Sequence, residues 1–529
     1  MSGPHGSQQN AEYTQYSAAT RIVILIALML GVILEVLDTS IVNVAIPDIM
    51  GNLGATLDQV SWVSTGYIIA NVIILPLTGW LSAHFGRKRY LGYSMIIFTV
   101  ASLFCGMSRS LNMLVMFRIL QGAGGAALLS TAQATLMEIF PPNQLGMIQG
   151  IFGIGVMVGP TVGPTLGGWL TDNYSWPWIF FINLPIGIVA TVMTFLFVHD
   201  SKIQKKHASV DFVGIILLAI GVGSLQAILE KGNREEWFQS NLICWLSVAM
   251  VIGIVSFIIW ELRTPHPAVN LRILKNRGFA AGTIFGVVLG FGLYGGIFIL
   301  PIYLQQLRHY SAAQTGWILF PGGIATACVV PFVGKLINRV NPRNLVAVGT
   351  IGFIASMVVL HGITLDTGKE NLLWPLILRG ASMGFLFLPL TMATLLGLQA
   401  REVPAGTGLY NLARQLGGSA GIAFLSTMID HREAFHRISL IERINVYNPA
   451  ALQRLSALQS MFVSKGYALN VAKQQALSVI NMSVNGQAAI LAFEEVFMVI
   501  AIVFACALPL LLLFKKVRPG KMDKMADGH

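Results

Sequence analysis

The chain has 529 residues, of which 55% are hydrophobic and 11% are charged, and its mean hydropathy is +0.70. This composition excludes a water-soluble globular protein and predicts a polytopic membrane protein. The formal net charge of +11 is spread over loops between apolar segments. Topology and anionic membrane lipid explain it there, so it does not indicate nucleic-acid binding.

A helix needs about 18 or more nearly uncharged residues to cross a bilayer, and about fourteen stretches meet that condition. They lie near residues 22–46, 60–83, 90–107, 111–137, 144–171, 177–198, 212–229, 241–260, 279–304, 313–334, 344–364, 371–398, 404–429 and 488–514. We do not expect the first to be a cleaved signal peptide, because no Lys or Arg precedes Arg21 and the apolar run is long and contains acids.

Lysine and arginine are unevenly divided between the two sets of connecting loops. One set, which includes the tail 1–21, contains Arg87, Lys88, Arg89, Lys202, Lys205, Lys206, Arg263, Arg272, Lys275, Arg277, Lys335, Arg339, Arg343, Arg401, Lys515, Lys516, Arg518, Lys521 and Lys524. The other set contains Arg109, Lys231, Arg234, Arg308 and Lys369. The positive-inside rule places the first set and both termini in the cytoplasm, which requires an even number of helices.

The first segment contains an acid inside a run that is long enough to cross a bilayer. Ionisable side chains at that depth cost several kcal/mol and mark ion or substrate pathways, so Asp38 is the first predicted functional residue. Glu35 is one helical turn away and projects from nearly the same face. The charges well inside the predicted segments are Glu35, Asp38, Arg118, Arg379 and Arg414.

Arg118 of the fourth segment is expected to meet Asp38, because both lie roughly 10–12 Å below the outer surface at 1.5 Å per residue. Low dielectric favours a protonated carboxyl, whereas a nearby guanidinium favours the ionised form, so small changes in water access or distance can move a proton. We therefore predict proton coupling by Asp38, with Glu35 and Arg118. A static ion pair is the alternative. Two acids beside one arginine would leave an excess negative charge for a proton or a cationic ligand.

Two similar stretches, residues 79–88 and 334–343, follow the second and tenth segments and both reach the cytoplasm. They predict a duplicated six-helix bundle with two extra helices between the copies, which is a parallel-repeat layout. The predicted parts are a cytoplasmic tail 1–21, a first bundle 22–198, linkers with two extra helices 199–277, a second bundle 278–514 and a basic tail 515–529.

The fifth segment has a dense pattern of glycine and proline. It contains Gly150, Gly155, Gly159, Pro160, Gly163, Pro164, Gly167 and Gly168. Small residues let helix backbones approach, and proline bends a helix while freeing carbonyl groups. The pattern predicts a closely packed, kinked helix between the two bundles, and generic packing glycine is the alternative.

Residues 430–487 form a long hydrophilic connection outside the membrane, within the second bundle. Apolar residues recur there at helical spacing, for example Ile438, Ile441 and Ile444. Connections this long are usually functional or disordered. Two interpretations remain open, namely amphipathic helices lying on the bundle and a docking surface for a periplasmic partner.

Polar and aromatic residues at mid-depth are candidates for a substrate cavity. They are Tyr67, Asn71, Gln121, Gln133, Tyr294, Phe298, Phe385, Tyr410, Asn411 and Arg414. An apolar cavity with few charges would suit bulky amphipathic compounds. The aromatic residues could instead pack or face lipid. Arg379 and Arg414 could pair with backbone carbonyls or between the bundles, or Arg414 could face the cavity and bind or repel substrate.

No phosphate-binding loop of the Gly-x-x-x-x-Gly-Lys-Ser/Thr type is present, so we do not expect ATP to drive transport. A proton moving inward through 100 mV supplies about 2.3 kcal/mol, enough for roughly a fiftyfold solute gradient. Cys105, Cys244, Cys328 and Cys506 lack metal-ligand spacing, so we expect no metal and no cofactor apart from protons as the coupling ion. Gly417-x-Ser419-x-Gly421 matches a hydrolase string but lies in a membrane helix.

Several of these stretches resemble the signature of one family. Residues 37–47 resemble its first-helix motif, residues 118–124 its fourth-helix motif and residues 150–168 the antiporter motif of its fifth helix. From about Ile22 to Phe514 the chain resembles the EmrB-type, fourteen-helix (DHA2) branch of the drug:proton antiporters in the major facilitator superfamily.

A further stretch, residues 79–88, resembles the family's loop motif between helices two and three. By this resemblance Gly79, Gly86 and Arg87 belong to the conformational motif, as do the glycines and prolines from Gly155 to Gly168. Ala83 stands where the superfamily usually has aspartate, and His84 where it often has arginine. This departure puts the usual charge-locked cytoplasmic gate in question.

The resemblance implies an all-α major facilitator fold with about fourteen transmembrane helices. It implies a multidrug efflux antiporter of the bacterial inner membrane that exports lipophilic or amphipathic toxic compounds by alternating access, with Arg118 implicated in proton coupling. The implied partners are small-molecule drugs, a periplasmic adaptor of the EmrA type and, through it, a TolC-like outer-membrane channel. The alternatives are a proton-coupled exporter or importer of a specific metabolite and a membrane-embedded lipid-modifying enzyme.

Overall fold

The computed structural model describes residues 16–200, 211–265, 267–337, 339–395, 397–399, 402–445 and 447–514, and the regular structure in these ranges is entirely helical. The α-helices are α1 (Ala18–Leu53), α2 (Leu57–Ile74), α3 (Thr78–Phe85), α4 (Arg87–Gly106), α5 (Leu111–Ile139), α6 (Pro142–Asn173), α7 (Trp178–Phe181), α8 (Asn183–Phe197), α9 (Phe212–Lys231), α10 (Asn241–Arg263), α11 (Arg277–Ile302), α12 (Ala312–Leu336), α13 (Pro342–His361), α14 (Lys369–Leu395), α15 (Val403–Glu442), α16 (Pro449–Ser464) and α17 (Leu469–Ala507). Outside the described residues lie the predicted tails over 1–15 and 515–529, the linker lysines Lys202, Lys205 and Lys206, and Arg401.

Within the described residues, 12 helical spans are long and apolar enough to cross a membrane. Some of them join two consecutive pieces, such as α2 with α3 and α7 with α8. Two further long helices, α6 and α15, stand at the predicted fifth and thirteenth segments. A long helical span therefore occupies each predicted segment, and the all-α membrane fold is confirmed. The predicted domain limits stay predictions.

Local sequence determines where the first helices begin and end. The Ser17 side chain accepts a hydrogen bond from the Thr20 amide at the start of α1. Gly54 ends α1 in the left-handed conformation with φ +62°, which glycine adopts without steric cost. Thr56 and Gln59 form a capping box at the start of α2. These caps define the ends of the helices that carry the acids and their partners.

The helices pack as two bundles with an inserted pair. In the first bundle α1 packs on α6 and α8, α2 packs on α5, and α4 packs on α5 and α8. In the second, α15 packs on α11 and α17, while α14 packs on α12 and α13. The bundles meet where α6 packs on α12 and where α15 packs on α3 and α5.

Glycines of α6 pack mainly against α1. A Cβ atom at Gly159 would lie 2.4 Å from the Val36 carbonyl carbon, and one at Gly163 would lie 2.0 Å from Ser40 Oγ. Only a residue without a Cβ atom, which is glycine, allows α1 and α6 to pack this closely. The prediction of close packing is confirmed, but this stretch of the motif joins α1 to α6 within one bundle. The side chain of Pro160 lies outside the described part of α6.

The start of α6 contacts the second bundle through Gly146 and through Gly150, the first glycine of the predicted pattern. A Cβ at Gly146 would lie 2.3 Å from the Gly334 carbonyl oxygen, and a Cβ at Gly150 would lie 2.6 Å from Val330 Cγ1. Near the opposite end of α12, a Cβ at Gly316 would lie 2.2 Å from Thr165 Oγ1. The bundles therefore touch at both ends of the α6–α12 interface.

The hydrophilic connection 430–487 is ordered as helices in its described part. The 40 residues of α15 extend about 60 Å at 1.5 Å per residue, which is about twice the hydrocarbon thickness of a bilayer. The end of α15 and the start of α17 therefore project from the bundle, and α16 packs on α17. Arg432 pairs with Glu495 and joins the two long helices. The alternative of helices lying on the bundle does not describe this projecting hairpin.

The inserted pair α9–α10 contacts both bundles through α9 and the turn after it. Towards the first bundle, the Lys231 ammonium lies 4.2 Å from the centroid of the Trp62 ring in α2. Towards the second, Gln226 Nε2 donates to Ser419 Oγ at 2.8 Å, and Trp237 Nε1 donates to Thr427 Oγ1 at 3.1 Å. Both acceptors lie in α15, so this end of α9 lies between α2 and α15.

Candidate functional site

The Asp38 carboxylate is fully buried and receives donors on both oxygens. Oδ2 lies 2.5 Å from Nη1 of Arg118, and Oδ1 accepts hydrogen bonds from Gln121 Nε2 at 2.9 Å and Asn183 Nδ2 at 3.1 Å. The predicted contact between Asp38 and Arg118 is present. The hydrogen-bond partners of the carboxyl group are all N–H donors, so none of them can accept a hydrogen bond from it.

Arg118 is held from several sides. Its Nε donates to the Val63 carbonyl of α2 at 3.0 Å, and its Nη1 also donates to Gln121 Oε1 at 2.9 Å. The guanidinium carbon lies 4.2 Å from the centroid of the Tyr67 ring, a distance at which a cation–π attraction operates. Gly122 permits this arrangement, since a Cβ there would lie 2.2 Å from the Tyr67 carbonyl oxygen.

Glu35 is also buried, but it does not contact Arg118. Its carboxylate accepts hydrogen bonds from Asn71 Nδ2 at 3.1 Å and from the backbone amide of Leu129, inside α5, at 2.9 Å. Arg414 lies within electrostatic range of Glu35 without forming an ion pair with it. The expectation of two acids beside one arginine is therefore corrected, because each acid has its own donors and a second buried arginine is near.

Two cavity candidates meet across the bundle interface. Asn411 Nδ2 of α15 donates to Gln133 Oε1 at 3.1 Å and to Ser130 Oγ at 3.3 Å, both in α5. Gln133 Nε2 donates to Gln149 Oε1 of α6 at 3.4 Å. These polar groups are all buried. They join the halves by side-chain hydrogen bonds in the place where the sequence predicts a cavity.

The aromatic cavity candidates are divided between different environments. Tyr410 is fully buried, with its hydroxyl 3.4 Å from Thr391 Oγ1. Tyr294 packs on Gly418, and Phe385 packs on Gly349 within the second bundle. Phe298 is exposed at the surface. Phe385 therefore packs within the second bundle, and Phe298 lies at the surface. Neither residue reaches the polar interface between the bundles.

The two arginines of the second half differ in their partners. Arg379 is half-buried, and its Nη1 donates to the Gly296 carbonyl at 3.1 Å, so pairing with backbone is confirmed for this residue. Arg414 is 2% exposed. Its guanidinium carbon lies 4.9 Å from the centroid of the Phe387 ring, and its Nε and Nη1 have no hydrogen-bond partner among the described residues.

A charge contact is present at the loop motif of residues 79–88 despite Ala83. The buried Arg87 side chain pairs with Glu138 at the end of α5 and donates to the His199 carbonyl at 3.3 Å. Gly86 has φ +86°, which favours glycine. Gly79 permits close contact with α15, since a Cβ there would lie 2.7 Å from the Ala405 backbone.

Sequence reasoning missed Asn183, Gln149 and Glu138. Asn183 and Gln149 are uncharged, so a search for charges inside apolar segments does not find them. Glu138 lies at the end of a predicted segment, so it is not among the charges well inside the predicted segments. In the described part of the chain, no cluster of three or more His, Cys, Asp or Glu side chains could hold a metal ion.

Comparison with known proteins agrees with this architecture. A family model described as Major Facilitator Superfamily matches residues 28–422. The multidrug export protein EmrB of Escherichia coli K12 is 36% identical over 93% of this chain and 95% of its own length. The fatty acid resistance protein FarB of Neisseria gonorrhoeae is 34% identical over 95% of this chain and 98% of its own length.

Solved structures show the same fold at low sequence identity. The proton:xylose symporter XylE superposes with a TM-score of 0.59 at 12% identity, covering 97% of this chain and 99% of that one. The human organic anion transporter MFSD10 has a TM-score of 0.58 at 13% identity, covering 92% of this chain and 99% of that one.

The matched family and the relatives named above are transport, export or resistance proteins. The chain is accordingly a transporter and not a lipid-modifying enzyme. The family match covers well over half of the chain, and the similarity to EmrB extends over nearly all of it. The chain therefore belongs to the Major Facilitator Superfamily, within the family of the EmrB-type export proteins.

Proposed function

We propose that this protein is a proton-coupled multidrug exporter that expels lipophilic or amphipathic toxic compounds by alternating access. The names of its relatives, which include multidrug export and fatty acid resistance proteins, support export of such compounds. The observation that carries the proton coupling is the fully buried Asp38 carboxylate, whose partners are all N–H donors.

Protonation of Asp38 would change the packing of four helices. A protonated carboxyl carries an O–H donor, which would face the donors of Arg118, Gln121 and Asn183. At least one of these contacts must then open. Asp38 lies in α1, its donors lie in α5 and α8, and Arg118 also binds the Val63 carbonyl of α2. Proton binding therefore favours a different arrangement of these helices, which is the requirement for coupling.

The ion pair also gives coupling an energetic scale. Removing one partner of a buried ion pair costs about 3–5 kcal/mol, because an uncompensated charge remains. One proton moving inward through 100 mV supplies about 2.3 kcal/mol. These energies are comparable, so a proton that neutralises Asp38 can open a contact that otherwise holds the helices together. A static ion pair would neither bind nor release a proton during transport.

The projecting hairpin supports a role in a tripartite pump. Parts of α15 and α17, together with α16, extend beyond the bilayer thickness. Exposed apolar side chains on this hairpin include Ile438, Leu452, Leu469 and Met482. We infer that the hairpin contacts a periplasmic adaptor of the EmrA type, which connects to a TolC-like outer-membrane channel. The protein would then lie in the bacterial inner membrane with both termini in the cytoplasm.

Proton release on substrate binding tests the proposal. Ethidium, which carries no titrating proton near neutral pH, is added to detergent-purified protein in weakly buffered solution. Wild type should release protons, and Asp38→Asn should abolish the signal. Asp48→Asn is the matched control, since Asp48 is an exposed acid of the same helix, and should behave as wild type. Unchanged release by Asp38→Asn would show that another group, with Glu35 next in line, carries the proton.

The direction of transport separates an exporter from an importer. In inside-out vesicles with an acidic interior, an exporter that exchanges its substrate for protons should accumulate ethidium. A symporter would expel ethidium under the same gradient. Expulsion, or no response to the gradient, would contradict the proposed function.

A further inference from the structure

Arg414 is a buried cation without a described counterion. The ion pairs of the described residues join Arg87 to Glu138, Arg118 to Asp38, and Glu495 to Arg432 and His436. Arg414 takes part in none of them. Its Nε and Nη1 also have no hydrogen-bond partner among the described residues, although only 2% of the side chain is exposed.

A buried guanidinium without a counterion is energetically unfavourable. Burying a charge without a partner is costly, and each unpaired N–H group adds the cost of its lost hydration. The other two arginines inside the bundles avoid this cost, since Arg118 has a carboxylate and Arg379 has a backbone carbonyl. The Nε and Nη1 groups of Arg414 can therefore still donate hydrogen bonds to a ligand, whereas Arg118 and Arg379 already have partners within the protein.

The surroundings of Arg414 define the kind of group that fits. The Phe387 ring of α14 lies 4.9 Å from the guanidinium carbon. One turn earlier on the same side of α15, Asn411 reaches Gln133 and Ser130 of α5. Arg414 is therefore on the helix that joins the two halves, beside an aromatic surface. A planar guanidinium next to apolar surface matches a carboxylate carried on an apolar body.

The nearest acid does not supply the missing partner. Glu35 is within electrostatic range of Arg414, but its two oxygens already accept hydrogen bonds from Asn71 and from the Leu129 amide. Its position is therefore fixed by α2 and α5. The donors of Arg414 remain available to a group that enters from outside the protein.

We propose that Arg414 is the recognition site for the anionic group of lipophilic organic acids, with carboxylates as the simplest members of this substrate class. The guanidinium binds the carboxylate, and Phe387 contacts the apolar body next to it. This inference rests on the proposed function only in treating the interface between α5 and α15 as part of the transport path.

Equilibrium binding tests the inference without a proton gradient, so its failure is distinct from a failure of proton coupling. The probe is naphthylacetate, and the control ligand is the uncharged naphthylethanol, both titrated into detergent-purified full-length protein by calorimetry. Arg414→Gln should weaken naphthylacetate binding by about tenfold or more, about 1.4 kcal/mol, and leave naphthylethanol binding unchanged. Arg379→Gln removes a half-buried guanidinium that already has a carbonyl partner, and this variant should bind both ligands as wild type does.

A second variant separates charge from geometry. Arg414→Lys keeps the charge but loses the planar fork, so its affinity for naphthylacetate should lie between those of wild type and Arg414→Gln. If Arg414→Gln does not fold, the loss of selectivity in Arg414→Lys decides the question alone. Equal weakening of both ligands, unchanged naphthylacetate affinity in the variants, or no naphthylacetate binding by wild type would each overturn the inference.

Discussion

The close contact between α1 and α6 gives a quantitative prediction for Gly159→Ala. The added Cβ would lie 2.4 Å from the Val36 carbonyl carbon, whereas ordinary contacts begin at 3.4 Å. The two backbones must therefore separate by about 1 Å. Overpacking of this kind costs about 1–3 kcal/mol, and replacing a helical glycine by alanine returns about 0.5–1 kcal/mol. The net loss of stability therefore lies between about 0 and 2.5 kcal/mol, and the middle of the two ranges gives about 1 kcal/mol.

Gly159→Ala should also impair transport strongly, because it displaces the helix that carries both buried acids. Val36 lies between Glu35 and Asp38 on α1, so a shift of α1 moves both acids relative to their donors on α5. A displacement of about 1 Å is enough to break a hydrogen bond, and the distance from Asp38 to Arg118 is 2.5 Å. Gly159→Ala should therefore remain folded but lose most of its gradient-driven ethidium transport.

Gly168→Ala is the matched control in the same motif. A Cβ there would lie 3.7 Å from Val44 Cγ1, which is an ordinary contact. This variant should be as stable as wild type or more stable, and it should transport ethidium normally. Thermal melting in detergent and uptake by inside-out vesicles measure the two effects. Equal melting temperatures and equal transport in the two variants would refute the packing argument.

Three further predictions concern other parts of the molecule. Arg87→Gln and Glu138→Gln should each slow transport, and the double variant should be no worse than either single one, because both remove the same ion pair; additive losses measured in vesicles would contradict this. Asn183→Leu should weaken proton release on ethidium addition while Asn173→Leu, at an exposed position, should not, and equal release by both would exclude a role for the Asn183–Asp38 hydrogen bond. Deleting α16 should reduce whole-cell drug resistance more than transport in reconstituted vesicles, and equal loss in both assays would remove the docking proposal.

Charges inside apolar segments were the most predictive feature of the sequence. The helical rise of about 1.5 Å per residue places Asp38 and Arg118 at one depth and predicts that they meet, and the structure joins them. Depth does not determine which neighbour a side chain faces. Glu35 is only three residues away, yet it reaches Asn71 and the Leu129 amide, because helix rotation and packing set its direction.

Features that depend on uncharged residues or on helix length were not predictable in the same way. Asn183 completes the Asp38 site, but an isolated asparagine in an apolar segment resembles many others. The projection of α15 was missed because hydropathy falls after residue 429, while the helix continues to Glu442. Hydropathy indicates where an apolar segment ends, but it does not indicate where the helix itself ends.

The position of α9 constrains how the two halves can move apart. On one side, Lys231 of α9 lies over the Trp62 ring of α2. On the other side, Gln226 of α9 donates a hydrogen bond to Ser419 of α15. A cleft that opened between α2 and α15 would have to detach α9 from one of them. Any separation of α2 from α15 therefore has to break either the Lys231–Trp62 contact or the Gln226–Ser419 hydrogen bond, so the inserted pair restricts movement between the two bundles.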